Sequence, residues 1–198
     1  MPMNNTLDAG VLDQLFHKAR TYNGYTDRLI TNEQLTAIWD LMKMGPTSAN
    51  CLPARIVWCA STEAKEKLAA LTMESNAEKI RKAPVTAIIG MDMEFYELLP
   101  ELFPHADAKS WFAGNEKMIE TTAFRNSTLQ GAYLMIAART LGIDSGAMSG
   151  FNNDAVDAEF FAGTSVKSNF LCTLGYGDAS TIFERSPRPA FERFNTIL

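Results

Sequence analysis

The chain has 198 residues, 46% hydrophobic and 21% charged, with a formal net charge of -5. That length suits one domain with a sizeable core, and the acidic balance argues against a nucleic-acid reader. No run approaches the roughly 20 apolar residues of a membrane helix, MPMNNTLDAG lacks the basic and apolar stretches of a signal peptide, and three cysteines without metal spacing (Cys51, Cys59, Cys172) fit a reducing cytoplasm.

Leu7 to Ala19 reads as an amphipathic helix with Val11, Leu12, Leu15 and Phe16 on one side. Thr31 and Gln34 form a capping box for a second helix, which runs through Leu35, Ile38, Leu41 and Met42 and stops at Gly45. The loop GPTSAN then crowds backbone-shaping and hydrogen-bonding residues just before the strand RIVWCA. Thr62 opens a helix over EAKEKLAAL, a shorter helical piece covers Asn76 to Lys82, and VTAIIGM is a strand. Met93 to Ala113 is aromatic and irregular, suited to plain packing or to a lid.

Glu116 to Leu141 is the longest helical pattern, about 40 Å at 1.5 Å per residue. Its middle, GAYLMIAA, is apolar all round, which predicts burial on every side, and a dimer interface would supply the missing cover. After Gly142 come a short segment, DSGAMSGF, a helix near Asp154 to Phe161 and a strand, SNFLCTLGYG. Pro187 and Pro189 prevent the tail from forming one helix. Helices with interleaved strands indicate an α+β domain over residues 1–198.

The usual catalytic signatures are missing. Gly175-Tyr-Gly177 lacks the third glycine and the following helix of a dinucleotide fingerprint. His17 sits on a helix as a surface or interface residue, His105 lies in the aromatic loop, and no nucleophile elbow accompanies either. Cys51 has no base beside it and reads as a buried, inert thiol. No metal site is expected.

Five separated pieces instead share small polar groups, amides and cations at helix starts and loops. They are ARTYNGY, GPTSAN, NAEKIRKAPVTAIIG, GAMSGF and ERSPRP. Asn76 and Lys79 in the third share a helix face, and Gly150 in the fourth permits close backbone approach.

The order and spacing of these pieces resemble the nitroreductase family of FMN enzymes, from about Leu12 to Phe191, and more narrowly its malonic semialdehyde reductase branch in pyrimidine breakdown. MKMGPTSANCLPARIV, EFYELLPELFPHADAKSWF, TAFRNSTLQGAYLMIAARTLGIDSGAMSGF and KSNFLCTLGYGD also carry the resemblance. It implies a mainly antiparallel sheet flanked by helices, a long helix at a homodimer interface, and FMN sites at that interface with NADPH or NADH as hydride donor. Arg20 and Thr21 match the early phosphate and flavin-edge segment, with Asn23 where a cation is usual. Pro46, Thr47, Ser48 and Asn50 match the loop that reaches the flavin from the partner subunit. Leu52-Pro53-Ala54 replaces the frequent Gln-Pro-Trp that follows it.

Asn76 and Lys79 match the pyrimidine-edge pair, with Lys79 the electrostatic candidate for hydride chemistry at flavin N5. Met148, Ser149 and Gly150 match the segment near N5, with Ser149 replacing the family's acidic residue. Arg185 and Arg188 match the C-terminal phosphate site, and the sequence does not separate them. The resemblance implies ping-pong reduction of malonic semialdehyde to 3-hydroxypropionate, whose carboxylate would need a cation from among Arg55, His105 and Lys109. The alternatives are a broad nitroaromatic or quinone reductase and a flavin-binding protein without NAD(P)H turnover.

Overall fold

Four strands form the centre of the computed structural model, which describes residues 5–198. The first four residues of MPMNNTLDAG, read above for a signal peptide, lie outside the described residues. The strands are β1 (Ala54–Cys59), β2 (Val85–Asp92), β3 (Asp144–Met148) and β4 (Val166–Gly175), in spatial order β1-β2-β4-β3. Every pairing is antiparallel. β2 is buried from Val85 to Gly90, a nearly unbroken apolar run, because helices cover both faces of the sheet.

Strand alternation divides those faces. Val85, Ala87 and Ile89 of β2, with Cys172 and Leu174 of β4, pack on α2 (Asn32–Met42) and α6 (Glu116–Thr140). Ile88 and Leu171 point the other way, towards α3 (Thr62–Ala69), α4 (Glu74–Lys82) and α7 (Asn153–Phe160). The fold is α+β, a wholly antiparallel sheet flanked by helices.

The capping box of α2 forms as expected between Thr31 and Gln34. Leu41 and Phe16, expected on apolar sides, are exposed. For Phe16 the reason is local. α1 (Ala9–Leu12) widens into a π-turn over Asp13–His17, closed by Lys18 N donating to Asp13 O at 2.8 Å. The added residue turns Leu15 inward and Phe16 outward. α3 begins at Thr62 as expected, with Ser61 as its cap. The segment DSGAM, expected only as a short segment, is β3 itself, made a strand by pairing with β4.

The aromatic stretch folds as a 3₁₀ turn (Phe95–Leu98), α5 (Leu99–Leu102) and a second 3₁₀ turn (Ala108–Trp111). Phe95 and Phe112 meet edge to face at 5.0 Å and close a third core with Cys51, Ile119 and Ala123. Phe103 packs against that core and meets exposed His105 edge to face at 5.6 Å, and Trp111 is exposed. Part of this stretch is therefore packing. The tail carries a single helical turn, α8 (Phe191–Phe194).

Burial of α6 on every side is not met within one chain. Phe124 and Leu129 are 52% and 44% exposed. An apolar slot of about 270 Å³ opens between Leu41, Gly45, Tyr133 and Ile136, on the other side of the helix from Phe124.

β2 carries an irregularity between Ile89 and Gly90, where Ser127 of α6 donates to the Gly90 carbonyl at 2.9 Å. A Cβ at Gly90 would sit 2.5 Å from Val166 and 3.0 Å from the Arg55 carbonyl oxygen. The backbone oxygen cannot yield as a side-chain tip could. Gly90→Ala is expected to destabilise the fold by about 1–3 kcal/mol, measured as a lower urea midpoint at unchanged slope.

Candidate active site

The C-terminal arm returns to the end of α1 and closes a cavity of about 390 Å³ lined by Arg20, Thr21, Asn23, Arg139, Glu184, Arg185 and Arg188. The arm is held there by carbonyls that the helix end leaves without intrahelical partners. Arg185 donates to the His17 and Ala19 oxygens, both at 2.9 Å, and Arg20 donates to the Phe183 oxygen. Asn23 donates to the Thr181 oxygen at 2.8 Å. Arg139, in the last turn of α6, donates to the Leu15 oxygen at 2.8 Å, a carbonyl exposed by the π-turn.

Arg188 bonds the carbonyls of Ser186 and Pro187 beside it. None of these four arginines forms an ion pair among the described residues. Four guanidinium charges thus face one carboxylate, Glu184, in an acidic chain. Such a concentration of donors suits a phosphate-bearing anion.

The next segment runs from this cavity along the β3 edge. Tyr25 Oη lies 2.7 Å from Thr173 Oγ1, and burial pushes the Tyr25 phenol pKa up. Thr21 sits 3.5 Å from where a Cβ on Gly146 of β3 would be. β3 ends at Met148, and the turn through Ser149 and Gly150 is pinned by α4. Asn76 Nδ2 donates to the Gly150 oxygen at 3.1 Å, and Met73 N does so at 3.0 Å. A Cβ at Gly150 would lie 2.7 Å from both Asn76 Nδ2 and Met73 Sδ. A side chain at this position would have to push both tips aside.

One turn along α4, Lys79 is half-buried and forms no ion pair among the described residues. Its neighbours do: Arg81 pairs with Glu66 at 3.0 Å and Lys82 with Glu78 at 2.5 Å. Arg20, Thr21, Asn23, Arg185 and Arg188 thus share one cavity, Thr21 reaches Gly146 of β3, and Asn76 meets the turn through Met148, Ser149 and Gly150 that ends this strand, with Lys79 one turn further along α4.

The second piece, GPTSAN, is elsewhere. The loop Pro46–Asn50 leads into β1, at the opposite edge of the sheet from β3, so roughly 14 Å of strand spacing separates the edges. Ala49, Asn50 and Leu52 have φ of 48°, 50° and 38°, all left-handed and none glycine. Ser48 N donates to Asn126 Oδ1 at 2.8 Å, Tyr133 Oη to the Pro46 oxygen at 2.9 Å, and Leu52 N to Thr47 Oγ1 at 3.3 Å. The Asn50 amide is spent on the Leu102 oxygen, whereas the Ser48 hydroxyl is exposed.

Two candidate substrate cations are already engaged. Arg55 binds Asp92 at 2.6 Å and the carbonyls of Leu52 and Ala54. Asp92 is in turn fixed by Ser165 at 2.6 Å. Arg55 is therefore a structural tie across β1 and β2. Lys109 pairs with Glu97, which pushes its pKa up. His105 is exposed and free of ion pairs among the described residues. Those residues hold no cluster of His, Cys, Asp and Glu fit for a metal. Arg139 escaped sequence reading because a lone cation in the last turn of a helix has the ordinary role of balancing the helix dipole.

A family model described as Nitroreductase family matches residues 17–177. A Burkholderia lata protein with the provisional name NADH dehydrogenase/NAD(P)H nitroreductase is 58% identical over 187 residues, 94% of this chain and 96% of that protein. A Bacillus subtilis protein provisionally named a nitroreductase superposes with a TM-score of 0.87 at 19% identity, covering 96% of this chain and all of that one. An Exiguobacterium sibiricum protein, provisionally named a nitroreductase and solved in complex with FMN, superposes with a TM-score of 0.85 at 19% identity over the whole of both chains. The chain belongs to the nitroreductase family.

All three cysteines are buried and free, and burial pushes the Cys51 thiol up to about 11 and those of Cys59 and Cys172 up to about 12. At about pH 8 only about one Cys51 in a thousand is the reactive thiolate. Ellman's reagent is therefore expected to leave the native protein unmodified and to titrate three thiols after denaturation.

Proposed function

We propose that this nitroreductase-family chain is a cytoplasmic, homodimeric, FMN-dependent NAD(P)H oxidoreductase. The observation that carries the reading is the arginine cavity joined, along the β3 edge, to the Gly150–Asn76 turn and the unpaired Lys79. Bound there, FMN would accept a hydride from the nicotinamide and pass it on from its N5 atom.

The chain's own residues have separable tasks. Arg20, Arg139, Arg185 and Arg188, with Thr21 and Asn23, would hold the phosphate end. Asn76 and the close-lying Gly150 backbone would hold the ring edge. Lys79 keeps an uncompensated positive charge on α4, suited to stabilising the negative charge of reduced flavin. Ser48 and Asn50, on the far edge of the sheet, would serve the site of a second copy. The exposed apolar residues of α6 and the slot by Tyr133 support that dimer.

For the substrate, the resemblance supports malonic semialdehyde, reduced to 3-hydroxypropionate. Engagement of Arg55 by Asp92 and of Lys109 by Glu97 leaves His105 as the free candidate for its carboxylate. The same engagement favours a second reading, reduction of uncharged nitroaromatics or quinones. Anaerobic reduction of the purified protein by NADPH and by NADH, followed by reoxidation with a panel containing both substrate classes, separates the two. A colourless protein that takes up no added FMN overturns the whole reading.

Arg20→Ala and Arg188→Ala are expected to weaken FMN binding tenfold to a hundredfold, from loss of about 1.5–3 kcal/mol per charge-assisted contact. Saturating FMN should nearly restore the thermal midpoint of Arg188→Ala by mass action. Arg20→Ala and Arg185→Ala should keep a lowered midpoint even then, because their carbonyl bonds hold the arm itself. FMN titration with and without heating decides between these outcomes.

Lys79→Ala is expected to slow flavin reduction by NAD(P)H and to make the flavin potential more negative, with little effect on FMN affinity. Lys82→Ala removes a solvent-exposed pair with Glu78 and should be nearly silent. Stopped-flow reduction with potentials measured alongside checks both; an unchanged Lys79→Ala would take this residue out of the site.

A further inference from the structure

We infer that Asn126 is a positioning residue for the reaction. Its side chain locks the Pro46–Leu52 loop into the left-handed shape in which Ser48 faces outward, towards the flavin site of a second copy. The inference rests on the reading of the chain as an FMN oxidoreductase dimer.

The loop is built against its own preferences. Left-handed φ is unfavourable for residues with a Cβ, and most of all for a large one such as Leu52. A plain connection from α2 to β1 could place glycine at each such position. Strain of this kind persists where surrounding groups over-determine it, and it clusters at working sites. The consequence is visible in the side chains. Cys51 is fully buried in the third core, while Pro46, Ser48 and Asn50 stand exposed.

α6 grips the loop at three points: Tyr133 on the Pro46 oxygen, Asn126 on the Ser48 amide and Gln130 on the Ala54 amide at 2.8 Å. Of these only Asn126 holds the amide that immediately precedes the left-handed residues. It is 4% exposed, and both of its polar ends are used. Nδ2 donates to the Thr122 oxygen of its own helix at 2.8 Å, which leaves Oδ1 aimed at the Ser48 amide. A buried asparagine in the middle of a 25-residue helix opposes both helix propensity and desolvation, so it does not serve the helix. The phosphate cavity, the main handle for cofactor affinity in this reading, lies along the other sheet edge, and the loop that Asn126 holds would meet only the flavin end of a second copy's cofactor.

The test compares wild type, Asn126→Ala, Asn126→Asp and Ala49→Gly as FMN-loaded enzymes. In Asn126→Ala the FMN dissociation constant should stay within about threefold, while kcat per bound FMN falls about tenfold to a hundredfold, the scale expected of sub-ångström to ångström misplacement. The visible circular dichroism of the flavin should change with it. Asn126→Asp keeps the acceptor for Ser48 and should recover kcat above the alanine variant. Ala49→Gly keeps Asn126 but relaxes the left-handed constraint. Its thermal midpoint should not fall, yet kcat should, which a purely structural role for the loop would not produce. If Asn126→Ala does not fold, Ala49→Gly decides alone. Wild-type kcat and flavin dichroism in the folded variants would overturn the inference while leaving the oxidoreductase reading intact. A wild-type protein that takes up no FMN would overturn both.

Discussion

Several of the places where this fold departs from a plain sheet are answered by a polar side chain on α6. A buried backbone N–H or C=O must find a partner, and each place where the ladder fails supplies an unpaired group. Ser127 takes the Gly90 carbonyl at the irregularity in β2, and Gln130 takes the amide that opens β1. Asn126 and Tyr133 take the Ser48 amide and the Pro46 carbonyl of the strained loop. At the helix's far end Arg139 takes the Leu15 carbonyl of the π-turn. One helix therefore fixes the loop at the β1 edge and one wall of the arginine cavity by the β3 edge. Its inward face looks like ordinary core plus a few polar interruptions, and those interruptions set the geometry on both sides of the molecule.

Charge is distributed with the same division of labour. Several exposed cations are neutralised locally, as Arg81 is by Glu66 and Lys82 by Glu78, and such surface pairs contribute little to stability. Among the described residues, the cations without an ion pair include Lys79 and the four arginines of the cavity, alongside Arg28, Lys65, Lys117, Arg125 and Arg193 elsewhere; what sets the arginines apart is that they share one cavity. The arginines are not idle. Arg20, Arg139 and Arg185 each spend one or two donors on main-chain carbonyls, which orders the guanidinium without cancelling its charge. Arginine suits this double duty because its five donors project as a fixed fork. A lysine there would have to choose between holding the arm and meeting an anion.

Much of this was legible in the sequence, and what was not has identifiable causes. The capping box at Thr31, the β-branched strands β1, β2 and β4 and the extent of α6 are local signals, and local rules read them. β3 is the opposite case. DSGAM has low strand propensity and becomes extended only because β4 offers a partner edge. The π-turn that moves Phe16 outward has no signature in a pattern of apolar spacing. Among site residues, loops rich in small polar groups were visible, whereas Asn126 and Arg139 are single polar residues in a helix. Their meaning depends on what lies across from them. Arg55 and Lys109 failed in the reverse sense: a cation near an expected pocket reads as a binder until its carboxylate, Asp92 or Glu97, is found beside it.

The two edges of the sheet together explain why a dimer belongs to this reading rather than being added to it. The groups at the β3 edge can hold an anion and the edge of a ring, but the exposed hydroxyl of Ser48 stands at the β1 edge of the same chain. No small motion brings them together, because β2 and β4 lie between and are the most buried strands of the fold. A second copy can bring its own β1-edge loop to the first copy's β3 edge without disturbing either core. The surface suited to that approach is that of α6, where Phe124 on one side and Leu129 and the slot beside Tyr133 on the other leave apolar area in water. Covering it gains hydrophobic free energy. Tyr133 is common to both demands, since its ring lines the slot while its hydroxyl holds Pro46. Association and loop shape therefore meet at one side chain, and an interface formed there would press on the segment that Asn126 holds in place.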